Sequence, residues 1–467
     1  MLLRFFRIND PYRLLGILVV LILISLPLFL DPVKLTLDEL KMFVLGESLN
    51  QGMSLYAEIL TSTPPVAAWM LGWVEMLFGR SQTAAQVLSL IFLFFQVSFF
   101  TVILINSRAH HENTYLPALI FGVLALFSFD MLSFPNELIA STVLLFAMNN
   151  LFKEIEFRIQ QDEIVLNLGV YIGIASLLVF SYALYLPGVV IILAIFTRLS
   201  LRKALLVLFG FMLPHAFLIL LFYLKGRHAA LIENFYLANL NWQDDSSMSI
   251  ASVLVLCIVP VLFLLFSLIM LSREARLTKY QSQLSQIMFL WILLAIAEVA
   301  ISGSLKPHQL ITSIPPLSYF ISHYILLIRR KKLAEFTIWA FMISISGIMY
   351  LSRYDRIASV NYSNLYPAKS PYNQIKDKHV LILGSDWGLL ENNKMSSGFF
   401  DWKLTQTVFS ELDYFDNVVL IDKAFGDQTT DIIVDEENQM KDVFKRIPEL
   451  QQRYRHEGNL YFLKKRE

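Results

Sequence analysis

The sequence predicts an α-helical protein that crosses a membrane many times and ends in a small α/β domain. Of its 467 residues, 56% are hydrophobic and only 16% are charged, whereas soluble domains carry roughly 25% charged residues. The chain also contains a series of apolar segments, many of them near the roughly 20 residues that a helix needs to cross a bilayer. After residue 351, strand-like segments replace the apolar ones.

About eleven apolar segments are predicted to be membrane-spanning helices of a domain covering residues 1–351. The first is expected to be a retained span, because no small-residue cleavage site follows it. The segment at 138–152 and the pair around Ser181-Tyr182 are expected to be tilted, broken or longer than drawn. The predicted spans lie at about residues 14–30, 83–106, 114–129, 138–152, 166–182, 184–197, 204–224, 250–271, 286–302, 309–328 and 333–351.

Basic residues are concentrated on one side of these spans, which begins with Arg4, Arg7 and Arg13 and ends with the block at 329–332. Because Lys and Arg are enriched in cytoplasmic loops, this side is predicted to be cytoplasmic. The N-terminus is then inside, and an odd number of spans places residues 352–467 outside the cytoplasm.

Residues 352–467 are predicted to form the extracytoplasmic α/β domain. Their number is sufficient for one small domain. The segments HVLILGS (379–385), NVVLID (417–422) and NLYFL near the end read as strands, and MKDVFKRIPELQQRY has an amphipathic helical pattern.

Charge and cysteine content exclude several function classes. The 38 basic and 38 acidic residues balance, so the charge gives no reason to expect a nucleic-acid partner. The single cysteine, Cys257, excludes a disulfide framework and a Cys-based zinc site. We expect no cofactor and no metal site, since no motif requires one; a divalent cation is compatible with the sequence but not indicated by it.

The loop at about residues 31–82 carries the first candidate site, the adjacent acids Asp38 and Glu39. Its residues predict a helix, a turn, a Tyr-bearing segment and a rigid Pro-Pro before a second helix, and the apolar positions suit helices that lie along the interface. A solvated pair of loop carboxylates is the alternative. The order of the marker residues is Gly46, Gly52, Tyr56, Pro64 and Pro65.

A second acid, Glu137, begins the fourth apolar segment after Pro135 and Asn136. An acid at a helix N-terminus that interacts with the exposed N–H groups and the macrodipole is the alternative to a functional role. Asp130 is a weaker candidate in the same loop.

The third segment, SGSLKPHQLITSIPPLSYF, places Lys306 and His308 at the start of a late span. A cation at this depth is suited to bind a phosphate, although a lysine that extends to the interface is the alternative. Glu298 is an acid inside the preceding span and so a functional candidate, or simply the partner of Lys306.

Together these segments resemble the GT-C glycosyltransferases, in particular the protein O-mannosyltransferases and the bacterial aminoarabinose (lipid A) transferases. The adjacent acids, then Leu-Gly-x-x-Leu, Gly-x-x-x-Tyr and Pro-Pro, are similar to their first periplasmic loop. The resemblance implies that Asp38 is the main catalytic carboxylate, with Glu39 beside it and Glu137 as a second acidic site. It implies that Lys306 and His308 bind the donor phosphate.

The chain also departs from this family pattern. Glu58 stands where relatives have an aspartate after the tyrosine, and Gln309 replaces a usual tyrosine. Tyr56, Glu58 and Glu298 are further candidates for the cavity.

The implied function is an inverting glycosyltransferase of a bacterial cytoplasmic (inner) membrane. It would move a sugar from a polyprenyl-phosphate donor to a protein, lipid A or polysaccharide acceptor at the periplasmic face. The alternative is a catalytically inactive scaffold of an envelope or secretion complex, with a protein partner bound to the C-terminal domain. A transporter fits less well, because paired broken helices and inverted repeats are not evident.

Overall fold

The computed structural model describes residues 2–32, 34–157, 161–197, 199–241, 247–274, 276–427 and 430–464. The chain divides into two compact units. The first unit is formed by residues 1–34, 82–217 and 242–364, and the second by residues 35–81, 218–241 and 365–467. The loop that follows the first apolar helix thus groups with the C-terminal residues rather than with the membrane helices.

The first unit is helical, as predicted. Its α-helices are Leu2–Phe6, Arg13–Leu30, Gln82–Asn106, Leu116–Leu124, Asn136–Phe157, Asp162–Ser176, Tyr185–Phe196, the greater part of Leu201–Leu224, Ile250–Leu256, Ile258–Glu274, Lys279–Ser302, Ile314–Leu327 and Lys331–Arg353. Three 3-10 helices interrupt this series: Phe129–Leu132, Phe180–Leu184 and Pro307–Ser313. Gly303, at φ 68°, ends the helix Lys279–Ser302 in the left-handed conformation that favours glycine.

The protein is a multi-pass membrane protein by the length and composition of these helices. Among the described residues, seven helical segments are long and apolar enough to cross a bilayer, or eight if the pair Ile250–Leu256 and Ile258–Glu274, bent by 59°, is one span. The other three of the eleven predicted spans form the short helices Leu116–Leu124, Asp162–Ser176 and Tyr185–Phe196. The apolar segments were located correctly, but the 3-10 helices around them shorten the α-helical parts.

Glycines allow two helices of the first unit to cross at close range. A Cβ atom on Gly169 would lie 2.1 Å from the carbonyl oxygen of Val207, and one on Gly210 would lie 2.2 Å from that of Leu166. Small residues at a crossing let helix backbones approach closely, which is a common means of helix association in membranes. The helices Asp162–Ser176 and Leu201–Leu224 therefore pack backbone against backbone.

The C-terminal part of the second unit contains a five-stranded sheet. Across the sheet the strands are Lys394–Met395, His379–Leu383, Ile432–Asp435, Leu460–Leu463 and Tyr454–Glu457; the first three are parallel and the last two pair antiparallel. The helices around it are Trp387–Glu391 (3-10), Trp402–Ser410, Phe415–Asp427, Met440–Arg446 and Pro448–Arg453. The predicted strands at 379–385 and NLYFL and the predicted helical pattern are confirmed.

The predicted strand at 417–422 is wrong, because this segment lies inside the helix Phe415–Asp427. Its inward-facing residues are Ile421 and Phe425, which are buried and four residues apart, while Val419 is exposed. That spacing places Ile421 and Phe425 on one face of a helix. The apolar run was too short to distinguish a strand from a helix segment.

The second unit begins with two helices, Leu37–Asn50 and Pro65–Phe78, separated by a turn at Gly52, as predicted. It also contains the short helical segments His228–Leu231, Ile232–Leu237 and Ala238–Leu240. The first loop is bound to the C-terminal residues by backbone pairing: the Leu60 amide donates to the Gly398 carbonyl at 2.7 Å, and the Asp401 amide donates to the Leu60 carbonyl at 2.9 Å.

Two basic side chains add to this attachment. Arg80 donates to Glu47 Oε2 at 2.6 Å and to the Leu390 carbonyl at 2.8 Å. Lys394 Nζ lies 3.3 Å from Glu47 Oε1. The helix Leu37–Asn50 is therefore held to the C-terminal residues through side chains as well as backbone.

We predict that Gly398→Ala disrupts the pairing of the first loop with the C-terminal residues. A Cβ atom at this position would lie 1.9 Å from the Glu58 carbonyl oxygen and 2.9 Å from Ile59 Cα, and both atoms are backbone. We expect a loss of about 1–3 kcal/mol in the free energy of unfolding, together with faster hydrogen exchange of the Leu60 amide. Gly426→Ala, in open space within a helix, is the control; equal exchange at Leu60 in both variants would contradict the prediction.

Candidate functional site

The two acids of the first loop lie in the first turn of the helix Leu37–Asn50 and differ in environment. Glu39 is buried and forms a capping box: its Oε2 accepts from the Thr36 amide at 2.8 Å and from the Thr36 hydroxyl at 3.0 Å, and its own amide donates to that hydroxyl at 3.2 Å. Asp38, one residue earlier, is half-buried. The capping box accounts for Glu39 structurally and makes Asp38 the acid of this pair that better suits chemistry.

Tyr56 and Glu58 are held by local bonds in the second unit. Tyr56 has a φ of 66°, unusual for a residue with a side chain, and its buried hydroxyl donates to the Thr63 carbonyl at 2.6 Å. Burial raises the pKa of Tyr56 well above its usual value, so this hydroxyl remains a donor. The unusual φ and the buried hydrogen bond indicate that Tyr56 stabilises the conformation of the first loop.

Glu58 is paired with a lysine of the C-terminal residues. Its Oε1 accepts from Lys423 at 2.7 Å, and its Oε2 accepts from the amide and the hydroxyl of Ser54, each at 2.7 Å. Burial alone would raise the pKa of Glu58, but the bonds from Lys423 and Ser54 outweigh it and hold the pKa at about 2. A carboxylate with so low a pKa is a poor proton acceptor near neutral pH. Glu58 is therefore better suited to holding the first loop to the C-terminal residues.

The first unit brings two acids and a histidine together. Asp130 Oδ2 accepts from the backbone amide of His308 at 3.0 Å and bonds with its ring Nδ1 at 2.9 Å. The other ring nitrogen, Nε2, lies 3.6 Å from Glu137 Oε2. Asp130 and His308 are buried, while Glu137 is half-buried in the first turn of its helix. The histidine ring thus lies between two carboxylates.

Carboxylates contact this ring on both sides. A carboxylate oxygen accepts hydrogen bonds, so Asp130 orients the ring through Nδ1 and the backbone amide of His308. The other ring nitrogen, Nε2, faces Glu137. It donates toward this carboxylate when the ring is protonated, and it is an acceptor when the ring is neutral with its proton on Nδ1.

Glu298 is another buried acid of the first unit. Its Oε1 accepts from the Ser181 hydroxyl, which belongs to the 3-10 helix Phe180–Leu184. Glu298 lies close enough to Tyr182, Tyr185 and Glu137 for electrostatic interaction.

Some buried polar atoms of this region have no hydrogen-bond partner among the described residues: Asp130 Oδ1, Glu298 Oε2 and the hydroxyl of Tyr182. Buried polar groups without a protein partner are uncommon, and a water molecule can satisfy them.

Lys306 lies two residues before His308 in the same loop. Its amide donates to the Gln309 side chain at 3.2 Å, and the Gln309 amide group donates in turn to Ser304. Gln309, the residue that departs from the family pattern, thus orders the loop that carries Lys306. Asp38 belongs to the second unit, whereas Glu137 and Lys306 belong to the first, and a cavity common to the three remains a prediction of the sequence.

The structure brings the predicted residues His308 and Glu137 together with Asp130, the weaker candidate of its loop. Asp130 lies 178 residues from His308, and nothing in either local segment indicates that they pair. Within the described parts of the chain, no group of three or more His, Cys, Asp or Glu side chains has an arrangement suited to a metal ion.

Solved structures with a similar fold include ArnT from Cupriavidus metallidurans. The crystal structure of that protein bound to undecaprenyl phosphate aligns with a TM-score of 0.52 and 14% sequence identity, over 75% of this chain and 66% of that chain. Its apo state aligns over the same shares at 14% identity, with a TM-score of 0.49. The alignment thus spans slightly less than two thirds of the length of ArnT.

The likeness to the bound structure confirms, at the level of the fold, the predicted resemblance to the aminoarabinose transferases. No protein-family model matches the chain, and no curated protein matches it in sequence.

We predict that Asp130 and His308 are energetically coupled. Asp130→Ala leaves two donors of His308 without their acceptor, which costs roughly 1–3 kcal/mol for buried groups. Once His308→Ala is present, Asp130→Ala should cost less, with a coupling energy of roughly 0.5–3 kcal/mol in a double-mutant cycle from thermal unfolding. Arg202→Ala, in an exposed ion pair with Asp162, should be additive with Asp130→Ala; additive effects of Asp130 and His308 would contradict the predicted coupling.

Proposed function

We propose that this protein is a membrane glycosyltransferase that moves a sugar from a polyprenyl-phosphate donor to an acceptor at the outer face of a bacterial cytoplasmic membrane. The observation that carries the proposal is the cluster of Asp130, Glu137 and His308 in the helical unit of a chain whose fold is similar to that of ArnT. The crystal structure of that protein bound to undecaprenyl phosphate supports a polyprenyl phosphate as the lipid of the donor.

In the proposed reaction, an acceptor hydroxyl attacks the anomeric carbon of the donor sugar. A new bond forms between the acceptor oxygen and this carbon, the bond from the carbon to the phosphate oxygen breaks, and polyprenyl phosphate leaves. Asp38 takes the proton of the hydroxyl as the attack proceeds, which makes the oxygen a better nucleophile. Attack from the face opposite the phosphate inverts the anomeric centre.

Two further parts of the candidate site act on the leaving phosphate and on the acceptor. Lys306 binds the phosphate and stabilises the negative charge that develops as it leaves. His308, two residues further along the same loop, assists Lys306 at this phosphate, while Glu137 orients the acceptor through its carboxylate. Asp130 holds the histidine ring in place through two contacts. The acceptor is a protein, lipid A or a polysaccharide.

We predict that Asp38→Asn lowers the rate of transfer from a labelled polyprenyl-phosphate sugar. Removing a general base costs typically about 100-fold to 10,000-fold in kcat, while the amide keeps the size of the side chain. Asp416→Asn is a matched control, because Asp416 is also an acid in the first turn of a helix and should leave transfer unchanged. Equal turnover of Asp38→Asn and the native protein would exclude Asp38 as the base.

We predict that Lys306→Ala raises the KM for the donor by on the order of tenfold to a hundredfold. A charge-assisted bond to a phosphate is worth roughly 1.5–3 kcal/mol, and this contact is lost in the variant. Lys34→Ala, which removes an exposed lysine of the same unit, should have little effect. A KM equal to that of the native protein would show that Lys306 takes no part in donor binding.

A catalytically inactive scaffold is the second candidate, and one observation favours it. Tyr414, Phe415 and Val419 form an exposed apolar group on the C-terminal part of the second unit, with Phe415 77% exposed. Exposed apolar patches often mark protein interaction sites. A stoichiometric protein partner that is lost in Phe415→Ser, with no sugar lipid co-purifying and no transfer activity, would favour the scaffold over the enzyme.

A further inference from the structure

The second unit contains a cavity of about 510 Å³ that none of the candidate site residues lines. We call it the aromatic pocket. Its apolar lining comes from both first-loop helices and from the end of the helix Leu201–Leu224, and two basic residues complete it. The lining residues are Leu49, Asn50, Met53, Ser54, Leu55, Val66, Trp69, Met70, Gly72, Trp73, Phe222, Lys225 and Arg227.

The walls of the aromatic pocket are fixed by close packing of the two first-loop helices. A Cβ atom on Gly46 would lie 2.7 Å from Glu75 Cβ, so the two helices approach closely at this point. Asn50 donates to the Gly72 carbonyl at 2.9 Å and also to Glu75. Trp69 stacks on Phe222 at a ring-centroid distance of 6.2 Å and an interplanar angle of 17°. The pocket is therefore formed by rigid elements.

The surface next to the aromatic pocket is apolar. Trp73, which lines the pocket, is 71% exposed, and Met76, Leu77 and Phe78 on the same helix are exposed as well. Apolar residues exposed in this number on one helix indicate contact with lipid. Tryptophan is typical of the membrane–water interface, where its ring lies at the level of the headgroups.

Lys225 and Arg227 give the aromatic pocket its charge. Both directly follow the helix Leu201–Leu224 and are exposed. Among the described residues, the side chain of neither forms an ion pair or a hydrogen bond, unlike those of Arg80 and Lys423 of the same unit, which are paired with Glu47 and Glu58. Glu75, an acid of the helix Pro65–Phe78, bonds with Asn50. Two unpaired cations beside an apolar cavity complement a molecule with a hydrocarbon chain and an anionic head.

We propose that the aromatic pocket binds an anionic membrane phospholipid. One acyl chain would lie against Trp69, Met70 and Trp73, and the phosphodiester would lie between Lys225 and Arg227. Basic residues at a membrane surface contribute roughly 1 kcal/mol each toward anionic lipids. The site does not depend on the proposed glycosyl transfer, because none of its residues belongs to the proposed reaction.

The test uses the full chain purified in detergent and phosphatidylglycerol with brominated acyl chains, which quench tryptophan fluorescence on contact. We expect saturable quenching that is reduced in Trp73→Phe, because Trp73 lines the pocket. Lys225→Ala together with Arg227→Ala should weaken the affinity about 25-fold, a factor of about five for each cation. Brominated phosphatidylcholine should bind native protein and double variant equally weakly.

The matched control is Lys331→Ala with Lys332→Ala, which removes two exposed cations at the start of another apolar helix; it should bind phosphatidylglycerol like the native protein. Each single variant, Lys225→Ala and Arg227→Ala, should show part of the loss, and the melting temperature of every variant should match that of the native protein.

Native-like binding by the double variant would overturn the proposal. Equal affinity for phosphatidylcholine, or displacement by polyprenyl phosphate at much lower concentration than by phosphatidylglycerol, would also overturn it. Glycosyl transfer is not measured in this assay, so either proposal can fail without the other.

Discussion

The need to satisfy backbone polar groups inside a membrane protein governs where this chain can place its chemistry. Helices satisfy their own backbone, whereas irregular backbone is tolerated only where it is buried in protein or lines a polar cavity. Three of the 3-10 helices in the first unit carry Asp130, Ser181 with Tyr182, and His308. These polar side chains therefore lie where the α-helices are interrupted, and the bond from His308 to Asp130 joins two of these interruptions. The surrounding apolar helices hold these interrupted segments in place.

The sequence was sufficient for the class of fold, because hydropathy and the ends of apolar segments are local properties. It also indicated Glu137 and His308, which the structure places side by side. It was not sufficient for contacts between distant segments. The pairing of Asp130 with His308, and the pairing of Glu58 with Lys423, join residues with no local signal. The strand predicted at 417–422 was wrong for a related reason: a four-residue apolar run suits either a strand or one face of a helix, and only the packing of Ile421 and Phe425 decides between them.

Several candidates from the first loop form contacts that stabilise the loop. Glu39 caps its own helix, Glu58 is paired with Lys423, and the Tyr56 hydroxyl bonds to Thr63. These contacts give Asp38 a defined support, because the helix that carries it is capped at its start and bound to the C-terminal residues by Glu47 and Arg80. A residue can thus match the family pattern of the first loop because it stabilises that loop. Glu58, which stands where that pattern has an aspartate, keeps the negative charge and pairs with Lys423 of the same unit.

The composition of the second unit from separate stretches of chain has a consequence for biosynthesis. Arg80 and the carbonyl of Leu390 are 310 residues apart, so the first loop is synthesised long before its partners. Nearly all of the membrane helices must be made and inserted in the interval, during which Leu60 lacks the backbone partners that it has in the finished protein. Contacts of such long range are slow to form. The second unit is therefore completed only after its late segment has been made. A chain that ends before residue 390 lacks both Leu390 and Lys394, the residues that hold the acid-bearing helix through Arg80 and Glu47.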